Sequence, residues 1–142
     1  ENNMAQSDSR RLYIVMPHLF PNLENGQGKD YYLQNDSDGT GTKLYWNKEG
    51  VTKPTDKELA DAKEPALNAY WWKVLRMIRD TLLVESDWSQ GADVPTSIKS
   101  SYATYRTNLR NLPTNVTKPD FSTLNNQSIA EWDINSLMPT KP

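Results

Sequence analysis

"RMIRDTLLVESDWSQGADVP", residues 76 to 95, begins with helical spacing and ends as a turn. Upstream, Leu67, Trp71, Val74, Ile78 and Leu82 recur every three or four residues, and Leu75 widens the stripe. That periodicity predicts an amphipathic helix with a broad buried face. Downstream, Ile98, Tyr102, Tyr105, Leu109 and Leu112 repeat the same spacing until Pro113. Two amphipathic helices joined by a short connection predict an antiparallel helical hairpin over residues 65 to 86 and 97 to 112. The charges then have a structural use. Arg106 and Arg110 are four apart on one face, opposite Arg76, Arg79, Asp80, Glu85 and Asp87. Asp87 is expected to pair with Arg106 or Arg79, or to cap turn amides. Trp88 is expected to plug the open end of the hairpin. Trp71 and Trp72 are adjacent and cannot share one seam.

Before the hairpin, "KPTDKEL" places Thr55 three residues ahead of Glu58, a capping-box pattern that starts a helix. Pro65 predicts a break or kink, with that proline in the first turn of a longer second helix. Closer to the N-terminus, "RLYIVM" (11–16) reads as a strand ending at Pro17, and "PHLFPNLENGQGK" as a loop. "DYYLQND" (30–36) and "TKLYWN" (42–47) flank a glycine-bearing connection and read as a β-hairpin. Three strands at most make a small antiparallel sheet, which needs a covering layer. The expected fold class is α+β: a small N-terminal antiparallel β-sheet or hairpin, an antiparallel α-helical hairpin, and an extended C-terminal tail. The corresponding regions are 1–50, 54–113 and 114–142. Phe121, Leu124, Ile129, Trp132, Ile134 and Leu137 are the side chains expected to pin the tail.

A net charge of -2 on 142 residues carries no bulk signal for nucleic acid. Apolar residues are scarce at 36%, yet five Trp and seven Tyr are too many for a disordered chain. A thin core rich in aromatics is expected. With no cysteine, disulfides, thiolate catalysis and cysteine-zinc sites are excluded. No apolar run reaches membrane-spanning length and no signal-peptide pattern opens the chain, so no membrane partner is expected. Met4, after Glu1–Asn3, reads as a natural start.

Catalytic signatures are sparse. His18 is the single histidine and is expected in a loop without positioned partners. "DSDGTG" (36–41) resembles a calcium loop only faintly, because Asn47 stands where the bidentate glutamate belongs. A plain hairpin turn is the better reading. No glycine-rich phosphate cradle is present. The arginine-carboxylate cluster has no accompanying nucleophile or base, so ion pairing is favoured over catalysis. No catalytic residue, cofactor or metal is expected.

The stretch 76–95 together with "YATYRTNLRNLP" resembles the phage tail assembly chaperone domain. The matching positions are Arg76, Arg79, Asp80, Leu82, Leu83, Ser86, Asp87, Trp88, Gln90, Asp93, Pro95, Tyr105, Arg106, Leu109, Arg110, Leu112 and Pro113. The chain ends "MPTKP", with Met138 where family members often carry tryptophan; Asn111 replaces a usual acid, and 114–131 is long. The N-terminal half looks like the leader of small phage tail and tail-fibre assembly proteins. The resemblance implies a non-enzymatic tail or tail-fibre assembly chaperone or accessory protein acting by protein binding. The alternative is a structural virion component (tail, neck or fibre-attachment subunit) with the same domain. It places the protein in the host bacterial cytoplasm during assembly, or in the virion. The implied partner is a phage tail or tail-fibre protein, with a homo-oligomer also open. Trp72, Met77 and Leu83 lie off the main stripe, and with Tyr31 and Trp46 they form the candidate partner surface.

Overall fold

The structure is a computed structural model in which residues 10–122 and 133–142 are described. Among them the element order is α1 (Leu12–Leu19), β1 (Tyr31–Asn35), β2 (Thr42–Trp46), α2 (Asp56–Glu85), a 3-10 turn (Asp87–Gln90), α3 (Thr96–Asn115) and a second 3-10 turn (Ile134–Leu137). The chain forms two compact units that divide at residues 70 and 71, inside α2. Residues 10–70 and 120–122 belong to the first, and 71–119 and 133–142 to the second.

In the first unit, the strand expected at residues 11–16 is corrected to a helix. Leu12, Ile14, Val15 and Met16 are all buried while Tyr13 faces outward. A strand would send one of two neighbours such as Ile14 and Val15 to the opposite face. A helix keeps positions 12, 15 and 16 on one side. Burial therefore overrides the β-propensity of the run. The chain enters α1 through Arg11, whose backbone is left-handed (φ 55) and whose carbonyl accepts from the Ile14 and Val15 amides, both at 2.9 Å. Pro17 lies inside the helix, and His18 sits exposed in its last turn instead of in a loop.

The β-hairpin forms as expected. The sheet has two strands, because the third candidate is α1. Tyr31 pairs with Trp46, Leu33 with Leu44 and Asn35 with Thr42 on one face. Tyr31, Thr42 and Leu44 are buried there. Tyr32 and Tyr45 stack on the other face with ring centroids 4.7 Å apart. The connection is held by side chains that mimic turn backbone. Asn35 Oδ1 accepts from the Ser37 amide at 2.9 Å and Asp38 Oδ1 from the Thr40 amide at 3.0 Å. Gly39 and Gly41 supply the left-handed φ values of 86° and 82°. Lys43 reaches both Asp36 and Asp38.

At the start of α2 both halves of the capping box are made. The Thr55 amide donates to Glu58 Oε1 (2.8 Å), and the Glu58 amide donates to Thr55 Oγ1 (3.1 Å). Of the break or kink expected at Pro65, the break and the separate second helix do not occur: α2 is one helix of 30 residues. A proline inside a helix costs one N–H bond and about 3 kcal/mol. Leu59, Ala62 and Ala66 are buried at positions three and seven apart, on both sides of Pro65. Their shared buried face holds the helical path.

In the second unit, α3 buries Tyr102, Tyr105, Leu109 and Leu112, four of the five expected positions. Ile98, the fifth, is exposed. Pro113 does not stop the helix, which runs on to Asn115. The loss falls in the last turn, where Leu112 still anchors the chain. Tyr102, Tyr105 and Leu109 form the core, and Leu82, Leu83 and Met138 pack against it. The two helices thus meet at the C-terminal end of α2. Met138, at the position where tryptophan was expected from the resemblance, performs the packing. Of the expected tail anchors, Phe121 and Ile134 are buried and Leu137 is exposed. Leu124, Ile129 and Trp132 lie outside the described residues.

Candidate functional site

The corner after α2 is built around Arg106. Helix ends leave carbonyls without intrahelical partners. Arg106 Nη1 donates to the Leu83 carbonyl at 2.6 Å and to Ser86 Oγ at 2.8 Å, while Nη2 pairs with Asp87 Oδ1 at 2.9 Å. One side chain from α3 therefore ties down the last turn of α2, its terminal serine and the next carboxylate. The Ser86 hydroxyl also turns back to the Leu82 and Leu83 carbonyls. Ser89, fully buried, donates from Oγ to the Ser86 carbonyl at 2.6 Å. Gln90 Nε2 reaches Ser89 Oγ and the Lys99 carbonyl, linking the turn to α3. Pro95 precedes α3 in an extended conformation, and its carbonyl accepts from the Lys99 amide at 2.9 Å.

The pairing expected of Asp87 is made with Arg106. Arg79 instead pairs with its neighbour Asp80 at 2.8 Å. Arg76 lies over the Trp72 ring, 5.4 Å from its centroid, and Trp72 packs edge-on against Trp71 at 4.9 Å. Asp93 and Arg110 are exposed. Tyr105 is buried, and that burial, with smaller contributions from Glu85 and Tyr102, raises its phenol pKa. Ser89 was missed by the reading of the sequence. Its signal was its position three residues after Ser86, in the turn Ser86 opens.

Trp88 is not a plug. It is 56% exposed and touches Tyr102 edge-on, with centroids 5.1 Å apart. The polar ties on both sides of it supply the closure assigned to it, leaving the indole to project. The candidate partner surface also changes. Tyr31 is buried, and Leu83 packs into the core of its own unit. Trp46 is half-buried, stacked with Tyr31 and tilted against Phe20, and donates from Nε1 to the Val51 carbonyl at 3.0 Å. Trp72 is half-buried. Met77 remains open at 56% exposure, joined by Val84 at 69%. Val84 is seven residues on and shares its helix face. The resulting shallow groove runs along α2 between Lys73 and Glu85. Among the described residues, no group of three or more His, Cys, Asp or Glu side chains is placed to hold a metal ion. No helix described is long and apolar enough to cross a membrane.

A corner locked by one arginine, with an aromatic projecting from it, is a structural device. Residues 72–133 match the family model described as phage tail assembly chaperone protein. Residues 12–70 match the model described as XkdW protein, a second phage tail-related family. The two matches meet where the two compact units divide, inside α2. Comparison with curated proteins and with solved structures yields no match.

Proposed function

We propose that this chain is a non-enzymatic phage tail or tail-fibre assembly chaperone or accessory protein that works by protein binding, with Trp88 as its principal anchor. The observation carrying this reading is an exposed tryptophan on a polar-locked corner, within the segment that matches the chaperone model. An exposed indole on a rigid support loses little entropy on binding, and tryptophan is enriched among residues that dominate interfaces. Both terminal nitrogens of Arg106 are engaged with the end of α2 and with Asp87, an arrangement suited to holding a surface.

The test is recovery of tail or fibre proteins with tagged protein from infected cells. Wild type is expected to retain them. Trp88→Ala, folded normally by circular dichroism, is expected to lose them at least roughly tenfold, in keeping with loss of a central anchor. Equal recovery by both would overturn the role of Trp88. The family resemblance also admits a permanent virion component. Purified particles distinguish the two: a chaperone is absent from them and a subunit is present at fixed stoichiometry.

A further inference from the structure

The open face of α2 has an ordered charge pattern. Lys73 and Arg76 lie in its N-terminal half, Asp80 and Glu85 in its C-terminal half, and Met77 and Val84 are the exposed apolar groups between and beside them. Such a face is complementary to itself when reversed. In an antiparallel pair, Lys73 of one copy lies over Glu85 of the other, and Arg76 over Asp80. The first pairing centres on position 79 and the second on position 78, one helical residue apart, so one register brings both within side-chain reach. A parallel pair would set Lys73 against Lys73 and Glu85 against Glu85. Arg79 already holds Asp80 on its own chain at 2.8 Å. That ion pair lowers the cost of bringing two Asp80 carboxylates near the two-fold axis. Arg76, with its guanidinium over the Trp72 ring, is held on the same helix.

We infer that the Lys73–Glu85 face of α2 pairs with the same face of a second copy, antiparallel about a two-fold axis. Isologous contacts of this type close on themselves and give a dimer. The face is one helix long, at the small end of interface sizes, so the dimer is weak and concentration-dependent. Its flanking ion pairs make it weaker at high salt. The inference does not rest on the chaperone reading, because the tail-binding experiment and this one have separate readouts.

Sedimentation of the purified full chain over a concentration series tests it. Wild type is expected to pass from monomer to dimer, with the midpoint rising as salt is added. Met77→Lys and Val84→Lys are each expected to weaken the dimer at least roughly tenfold, with helix content unchanged. Charge reversal supplies the independent arm. Lys73→Glu alone and Glu85→Lys alone should each be monomeric, while an equimolar mixture should form heterodimers. The double variant Lys73→Glu/Glu85→Lys should dimerise like wild type. A wild-type chain that stays monomeric throughout overturns the inference. So does a dimer indifferent to Met77→Lys, or a double variant no better than the single ones.

Discussion

Arg106 and Asp87 form one ion pair, yet the two residues differ in consequence. Arg106 has a side chain 11% exposed, whereas Asp87 is 64% exposed. An exposed carboxylate gains little from pairing because solvent screens it, so Asp87→Ala is expected to cost less than about 1 kcal/mol. Arg106→Ala also removes the donors to the Leu83 carbonyl and Ser86 Oγ, and is expected to cost about 2–3 kcal/mol. Urea unfolding of both variants checks the order; equal midpoints would contradict it. Asp38 offers a pH-dependent counterpart in the first unit. Hydrogen bonds from the Thr40 hydroxyl and amide, helped by Lys43, lower its pKa from the ordinary 3.8 to about 2. A folded pKa below the unfolded one stabilises the fold above 3.8, and that contribution is lost as pH falls through about 2. An NMR titration of the Asp38 carboxyl should show its midpoint near the lower value, and Thr40→Ala should return it toward the ordinary one.

At the scale of elements, α2 carries a good start and a poor middle. The Thr55–Glu58 capping box satisfies two otherwise orphaned amides, so Thr55→Ala is expected to lower stability by about 1 kcal/mol. Pro65 does the opposite. Its ring and missing N–H burden a helix that persists because Leu59, Ala62 and Ala66 are buried along it. Pro65→Ala should restore a donor in that helix. Some of the gain is offset because the unfolded chain becomes less restricted. A net stabilisation of about 1–2 kcal/mol is expected. Thermal unfolding of the variant measures this directly, and a lowered midpoint would mean that the proline ring itself supports the packing of α2.

For the whole molecule, the proposed function assigns stability and binding to different side chains of the second unit. Leu109 is fully buried in the cluster with Tyr102 and Tyr105, and Leu109→Ala is expected to cost about 2–5 kcal/mol. Trp88→Ala removes a mostly exposed indole and should leave the unfolding midpoint nearly unchanged while abolishing tail-protein recovery. A Trp88→Ala variant that unfolds as readily as Leu109→Ala would return the tryptophan to a packing role. The two family matches meet inside α2, at the division between the compact units. Each unit has its own buried residues, and one unbroken helix contributes to both.

Local rules were enough for the β-hairpin, the capping box and the stripe of α3. Each depends on residues a few positions apart, where period, turn chemistry and side-chain reach decide the outcome. For Asp87 the sequence left Arg106, Arg79 and the turn amides open, and the contact with α3, 19 residues on, selected Arg106. Tertiary structure decided the rest. It made residues 12–19 helical, because simultaneous burial of Ile14, Val15 and Met16 outweighs their β-propensity. It carried α2 through Pro65 and α3 through Pro113, because buried neighbours offset a lost hydrogen bond. It buried Tyr31 and Leu83, and it left Trp88, Met77 and Val84 outside. Spacing alone identifies which side chains share a face. Whether that face is covered depends on what the remainder of the chain brings against it.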